Sequence, residues 1–349
     1  MDLTLENTNG NFQNEVTIAG SGKTKLQVKQ DTQKISLGSG SGDVTVSSAS
    51  VGDLNLGGGQ NTLKVENSGK IGEVTGSNEK DTITISGSSS VDKITTNGGA
   101  DTITLSGNGT LKTLEASKGN DEVTISGSGS ISNITGEGKV KIGDNTTLNN
   151  TLDIGSYKNE LTISGGSANV KNLLADNNKI KLEANSQIEK LQIKDGGNVS
   201  VSGSGSITFD TTNDTGTHTI TIGDQTTLKT FTAGSGDDTI TIANGGKLSG
   251  DKLELTNGNN TLNIASGGNV ATLTTITTGN GTNKITIDKD ATATNLANIN
   301  LGNGTNTLDL SVSGSNLTVS GGNGTDNINL SGANGKITTL NAGANSTNI

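Results

Sequence analysis

Residues 81–135 read DTITISGSSSVDKITTNGGA (81–100), DTITLSGNGTLKTLEASKGN (101–120) and DEVTISGSGSISNIT (121–135), three stretches that superimpose with a period of 20 residues. Ile83, Ile103 and Val123 fall in one column; Ile85, Leu105 and Ile125 in a second; Val91, Leu111 and Ile131 in a third; Ile94, Leu114 and Ile134 in a fourth. A fixed period in this range marks repeats that bury their apolar faces only against their neighbours. Within each repeat the apolar residues alternate with polar ones over four or five positions, bounded by Gly, Ser, Asn and Asp. That is the pattern of a short half-buried strand, and no window carries a helical period.

The same doublets run through the whole chain. They open at Leu3/Leu5, Val16/Ile18, Leu26/Val28, Ile35/Leu37, Val44/Val46 and Leu54/Leu56, with less regular coils over 1–62. From Leu63 onward the main doublets begin at Ile83, Ile103, Val123, Val140, Leu161, Ile180, Val199, Ile220, Ile240, Leu262, Ile285, Leu308 and Ile328. Second apolar pairs such as Leu148/Leu152, Ile188/Leu191 and Leu228/Phe231 give each coil another core-facing side. Equivalent strands one coil apart run in the same direction, so the expected fold is an all-β parallel β-solenoid with coils of about 20 residues. At about 4.8 Å per layer, roughly 17 coils make one elongated domain over 1–349, roughly 80 Å long. Two stretches, 209–217 (FDTTNDTGT) and 38–50, are expected to be irregular loops.

Composition agrees with a thin solenoid rather than a globule. The 349 residues include 52 Gly, no Pro, Cys, Trp or Arg, and single Met, Tyr and His residues, with 28% apolar and 1% aromatic. So little apolar surface suits disorder unless it is concentrated in columns, which the period does. The net charge of −10 and scattered Lys without a basic stripe argue against nucleic acid as a partner. No apolar run approaches the length of a membrane-spanning helix. The absence of Cys removes disulfides and thiolate metal sites without choosing a compartment. The first residues, MDLTLENTNG, do not read as a secretory leader; the expectation is a mature fragment or a leaderless route.

The strongest polar signal lies two residues before the main doublet: Asn61, Asp81, Asp101, Asp121, Asn159, Asn178, Asp238, Asn260, Asn283, Asn306 and Asp326, with His218 in the same place. One reading is a turn position where a short side chain caps backbone groups and stacked Asn amides form a ladder. Carboxylates on consecutive coils, as at Asp81, Asp101 and Asp121, would lie about 4.8 Å apart. At an effective dielectric near 20 each adjacent pair repels by roughly 3 kcal/mol, so either a cation between them or a very wet turn is expected.

Gly-rich turns precede several of these residues: GSGDDTI (234–240), GNGTNKI (279–285), GNGTNTL (302–308) and GGNGTDNIN (321–329). The last matches GGxGxDxUx in full and resembles the calcium-binding repeats of secreted bacterial RTX proteins. The resemblance implies calcium, with Asp238 and Asp326 as ligands; Asp81, Asp101 and Asp121 join them as candidates through the repulsion argument. The chain departs from that family in having one Gly-rich turn per coil, longer coils, and Asn at Asn260, Asn283 and Asn306.

Outward TxT pairs (Thr82/Thr84, Thr102/Thr104, Thr219/Thr221, Thr239/Thr241) resemble the ice-binding face of antifreeze solenoids, but Lys139/Lys141, Lys179/Lys181 and Asn327/Asn329 interrupt the columns. β-branched residues also suit any solvent-facing strand. Catalysis has little support: His218 stands alone, Ser is too abundant to single out a nucleophile, and a carbohydrate-cleaving groove lacks aromatic platforms and Arg. In coil pattern and composition the chain resembles the β-solenoid passengers and repeat regions of bacterial surface proteins: adhesins, autotransporter passengers, S-layer proteins and extracellular fibres. That resemblance implies a non-enzymatic extracellular structural or adhesive rod with a host or carbohydrate ligand. Neither terminus reads as a cap, so the expectation is either excision from a longer passenger whose flanking coils cover the ends or, the preferred reading, head-to-tail self-assembly or a larger extracellular array.

Overall fold

In the computed structural model the described residues are 1–6, 12–137, 139–143, 146–164, 168–183, 185–194, 197–210, 215–311, 316–331, 337–341 and 343. They contain strands and turns and no helix, and every strand pairing between coils is parallel. The chain divides into two compact units, Met1–Leu173 and Leu174–Ile349.

In the first unit, one sheet carries the main doublets. Thr82–Ile85, Thr102–Leu105 and Asn120–Ile125 lie side by side, with Ile83 opposite Ile103 and Ile103 opposite Val123. The column continues back through Leu63, Val44, Leu26 and Leu3 without a slip. Period-two alternation puts Ile83 and Ile85 in the core and leaves Thr82 and Thr84 half-buried on the outer face. The second sheet is built differently. In Ser90–Thr95, Thr110–Ala116 and Ser130–Gly136 the inward residues are three apart, Val91 and Ile94, Leu111 and Leu114, Ile131 and Ile134, with two outward residues between them. Each strand therefore bends at the intervening pair, and the ladder skips Asp92, Lys112 and Ser132. The two sheets face one another across a core one side chain deep on each side. All four columns are buried, with Ile103, Leu105, Ile94 and Leu114 at 0% exposure. Each such side chain contributes about 1.5–3 kcal/mol of burial, which is how a chain so poor in apolar residues stays folded.

The coil at Lys139–Ile142 stacks two residues out of the expected alignment: Val140 lies opposite Asp121, and Ile142 opposite Val123. A two-residue shift keeps every side chain on its own face, whereas a shift of one would turn the core outward. The short coil between Val123 and Val140 is absorbed in this way. The 38–50 stretch is regular: Gly42–Ser47 is a strand with Val44 and Val46 fully buried.

The second unit repeats the plan. Thr219–Ile222, Thr239–Ile242, Thr261–Ile264 and Lys284–Ile287 stack in register, with Ile220, Ile240, Leu262 and Ile285 in one buried column. Ile180 pairs with Val201 rather than Val199, a second two-residue shift. Phe209, expected in a loop, belongs to the strand Ser206–Asp210, because a neighbouring ring gives it a core place. It is fully buried and stacks on Phe231 with ring centroids 5.0 Å apart. Residues 211–214 of that stretch lie outside the described residues. At the coil corners glycine is required where the chain approaches its neighbour closely: Gly119 has φ +145°, and a Cβ there would meet Gly99 O at 1.8 Å.

Candidate functional site: an internal Asx ladder

The Asp and Asn residues two positions before each main doublet point inward. Alternation dictates this, since Asp101 is in phase with Ile103 and Leu105 along the strand. Asn61, Asp81, Asp101 and Asp121 are only 1–2% exposed. The expected wet turn is therefore overturned for Asp81, Asp101 and Asp121: water does not screen them.

A directional hydrogen-bond chain relieves them in part. The amide of Gly42 donates to Asn61 Oδ1 at 2.7 Å, that of Asn61 to Asp81 Oδ1 at 2.9 Å, that of Asp81 to Asp101 Oδ1 at 2.7 Å, and that of Asp101 to Asp121 Oδ1 at 3.2 Å. Each side chain thus accepts the amide that the preceding coil cannot pair in the sheet, and an unpaired buried amide is costly. The second carboxylate oxygens differ. Asp81 Oδ2 accepts from the Ser77 amide at 2.7 Å and Asp121 Oδ2 from Thr96 Oγ1 at 3.0 Å, whereas Asp101 Oδ2 is buried without a partner. Burial, followed by the charges of Asp121 and Asp81, pushes the Asp101 carboxyl up to about 7 against the pull of the Asp81 amide and Lys80. Burial also raises Asp121, opposed by the Asp101 amide and Thr96. One coil further on, where Val140 faces Asp121, the Val140 amide donates to Tyr157 Oη at 2.8 Å. Burial pushes that phenol up to about 12, with Asp121 and Glu160 adding to it.

In the second unit the ladder runs His218, Asp238, Asn260, Asn283, Asn306, Asp326, each 0–3% exposed. The His218 amide donates to Asp238 Oδ1 at 3.1 Å, and its Nδ1 lies 2.8 Å from the same oxygen. The Asp238 amide donates to Asn260 Oδ1 at 2.9 Å and that of Asn260 to Asn283 Oδ1 at 3.2 Å. The carboxamides add a second set of bonds. Asn283 Nδ2 donates to Gly279 O at 3.1 Å and to Asn306 Oδ1 at 2.9 Å; Asn306 Nδ2 donates to Gly302 O and Asp326 Oδ1, both at 2.8 Å. Asn260 Nδ2 likewise reaches Thr256 O at 2.9 Å and Gly258 O at 3.3 Å. An Asn therefore satisfies the carbonyls of its own Gly-rich turn. An Asp in the same place brings an oxygen instead of an NH₂, and Asp238 Oδ2 and Asp326 Oδ2 have no partner.

The predicted Asn ladder is thus present, while the five Asp candidates are split. Asp81, Asp101 and Asp121 form one file in the first unit; Asp238 and Asp326 stand three Asn apart in the second. Among the described residues no three His, Asp or Glu side chains gather as a metal-binding group. Ser77, Thr96 and Tyr157 are ladder partners that the period alone did not single out. Tyr157, the single tyrosine in a nearly ring-free chain, carried the only available signal. Comparison with protein-family models, curated proteins and solved structures finds no match. The geometry alone carries the functional reading.

Proposed function

We propose that the protein is a non-enzymatic structural or adhesive solenoid of a bacterial cell surface, fibre or surface layer, assembling head to tail through its strand edges. The observation that supports this reading is where the reactive groups go. His218, Asp238 and the Asp81–Asp121 file are buried, and one oxygen of each carboxylate is taken by a backbone amide, leaving an outer surface of Thr, Ser, Asn, Lys and Glu. Chemistry at a substrate needs groups that reach it, whereas a ladder of this kind stiffens stacked coils. The backbone edge of a parallel coil accepts another such coil, and a head-to-tail contact that does not close propagates as a filament. Electron microscopy and light scattering of the purified chain test the assembly. Fibres or concentration-dependent growth are expected; a monomer unchanged by concentration refutes it.

A second reading, a calcium-loaded secreted module, is favoured by the unpartnered Asp238 Oδ2 and Asp326 Oδ2. Calcium takes six to eight oxygens, and each of these turns offers a carboxylate oxygen where its Asn counterparts donate to turn carbonyls. Calorimetry with millimolar calcium tests it: heat of binding lost in Asp326→Asn supports the reading, and no heat in the wild type ends it.

A further inference from the structure

The outer face of the second sheet in the first unit carries a groove that the Asx ladder does not explain. Two outward columns border the buried file Thr32, Val51, Ile71 and Val91. One runs Asp31, Ser50, Lys70, Ser90; the other runs Gln33, Gly52, Gly72, Asp92. In the middle of the second column two consecutive coils have no side chain. Both glycines are required by close approach: a Cβ at Gly52 would meet Gln33 O at 2.3 Å, and one at Gly72 would meet Gly52 O at 2.5 Å. Backbone carbonyl oxygens stand where those side chains would be, and the missing volume opens a groove of about 540 Å³. That lies inside the range of about 300–1,000 Å³ usual for small-ligand sites. Gln33 and Asp92, which bound the groove along the stack, stand about 14 Å apart at the usual strand spacing.

The charges around the groove are uncommitted. One column further along the strands, Lys93 is paired with Glu73 at 3.3 Å and Glu115 at 2.8 Å. Lys70 and Asp92 are exposed, and among the described residues neither side chain has an ion pair or hydrogen bond. Asp31 accepts the Ser50 amide on Oδ1 at 2.8 Å and keeps its other oxygen free. The lining thus offers many acceptors, several hydroxyl donors, and one more carboxylate than ammonium.

That chemistry sorts the occupants. An anionic ligand meets the excess carboxylate. An extended peptide docks on a free sheet edge, and the strands here are already paired on both sides by neighbouring coils. An apolar ligand finds no ring and no exposed apolar side chain, since Val51 and Ile71 are each 2% exposed. A hydroxyl-rich ligand fits. Adjacent hydroxyls donate to the two oxygens of a carboxylate, Lys70 donates to a ring or linkage oxygen, and a floor without side chains lets a flat ring approach the backbone.

We propose that the groove over Gly52 and Gly72 is a glycan-binding site that takes a neutral segment of disaccharide size, with Asp92 and Lys70 as its principal polar contacts. The proposal rests on the adhesive reading above and gives it a ligand class; it does not depend on head-to-tail assembly. With no aromatic ring to stack on the sugar, affinity is expected in the millimolar range for one site.

The test is to probe the full-length chain against an array of immobilised neutral, amino and acidic glycans, then to titrate the preferred neutral disaccharide into isotope-labelled protein and follow its amides by NMR. Retention on neutral glycans is expected, with the Gly52, Gly72 and Lys70 amides shifting and saturating together. Asp92→Ala and Lys70→Ala should each weaken binding by about tenfold or more. Their melts should be unchanged, since neither side chain has a partner to lose. Lys171→Ala, which removes an exposed lysine of a distant coil, should bind as the wild type does. No retention on any glycan, retention confined to acidic or amino glycans, or binding that survives both groove substitutions overturns the proposal. Light scattering of the same samples reads assembly separately, so a failed groove and a failed filament are told apart.

Discussion

Asp101 favours the folded chain in acid over base, opposite to the usual contribution of a paired or hydrogen-bonded carboxylate. Its carboxyl rises from 3.8 to about 7 on folding, so between those values the folded chain holds a proton that the unfolded chain releases. Stability is therefore fullest below about 3.8 and is lost as pH rises through about 7. A rise from 3.8 to about 7, at about 1.4 kcal/mol for each tenfold change in proton affinity, corresponds to about 4 kcal/mol. The raised Asp121 adds in the same direction. Glu115, lowered by its bond to Lys93, opposes it; that pair is largely exposed and contributes little. The perturbation is Asp101→Asn, which supplies a permanent hydrogen on the second atom, as Asn260, Asn283 and Asn306 do in their own turns. Urea unfolding followed by circular dichroism at pH 4.5, 6 and 8 should show the wild type losing most of that 4 kcal/mol or so and the variant losing much less. A wild type whose stability is flat or rises over this range, or a variant that parallels it, refutes the protonated ladder.

Ile103→Asp places a carboxylate in a column at 0% exposure and should cost about 3 kcal/mol or more; a native-like thermal melt contradicts the register. Asn283→Asp removes the donors to Gly279 O and Asn306 Oδ1 and should destabilise by about 2–3 kcal/mol at pH 8, recovering in acid, as denaturant titration at the two pH values will show. Lys93→Ala breaks ion pairs at 3.3 Å to Glu73 and 2.8 Å to Glu115. It should change stability by under about 1 kcal/mol, and a larger loss means the outer charge column organises the second sheet.

The 20-residue period and the two-residue alternation were enough to place Ile83, Ile103 and Val123 in one buried column, because a strand has two faces and only one arrangement of repeats buries every apolar face. The same alternation implied that Asp81, Asp101 and Asp121 point inward, although their Gly- and Ser-rich surroundings suggested a solvated turn. Sequence pattern thus carried the strands, their parallel order and the Asn ladder. It did not carry the two-residue shift at Val140, which arises where a short coil must keep its faces while stacking on a longer one. It did not reveal that Phe209 packs on Phe231, since a nine-residue polar stretch looks the same whether or not a ring waits in the neighbouring coil. Nor did it say that Asp81 Oδ2 finds a donor in the Ser77 amide while Asp101 Oδ2 finds none. The rungs of the ladder join residues about 20 positions apart along the chain. Stacking brings such partners within 3 Å or so, and only the tertiary structure decides which atom meets which.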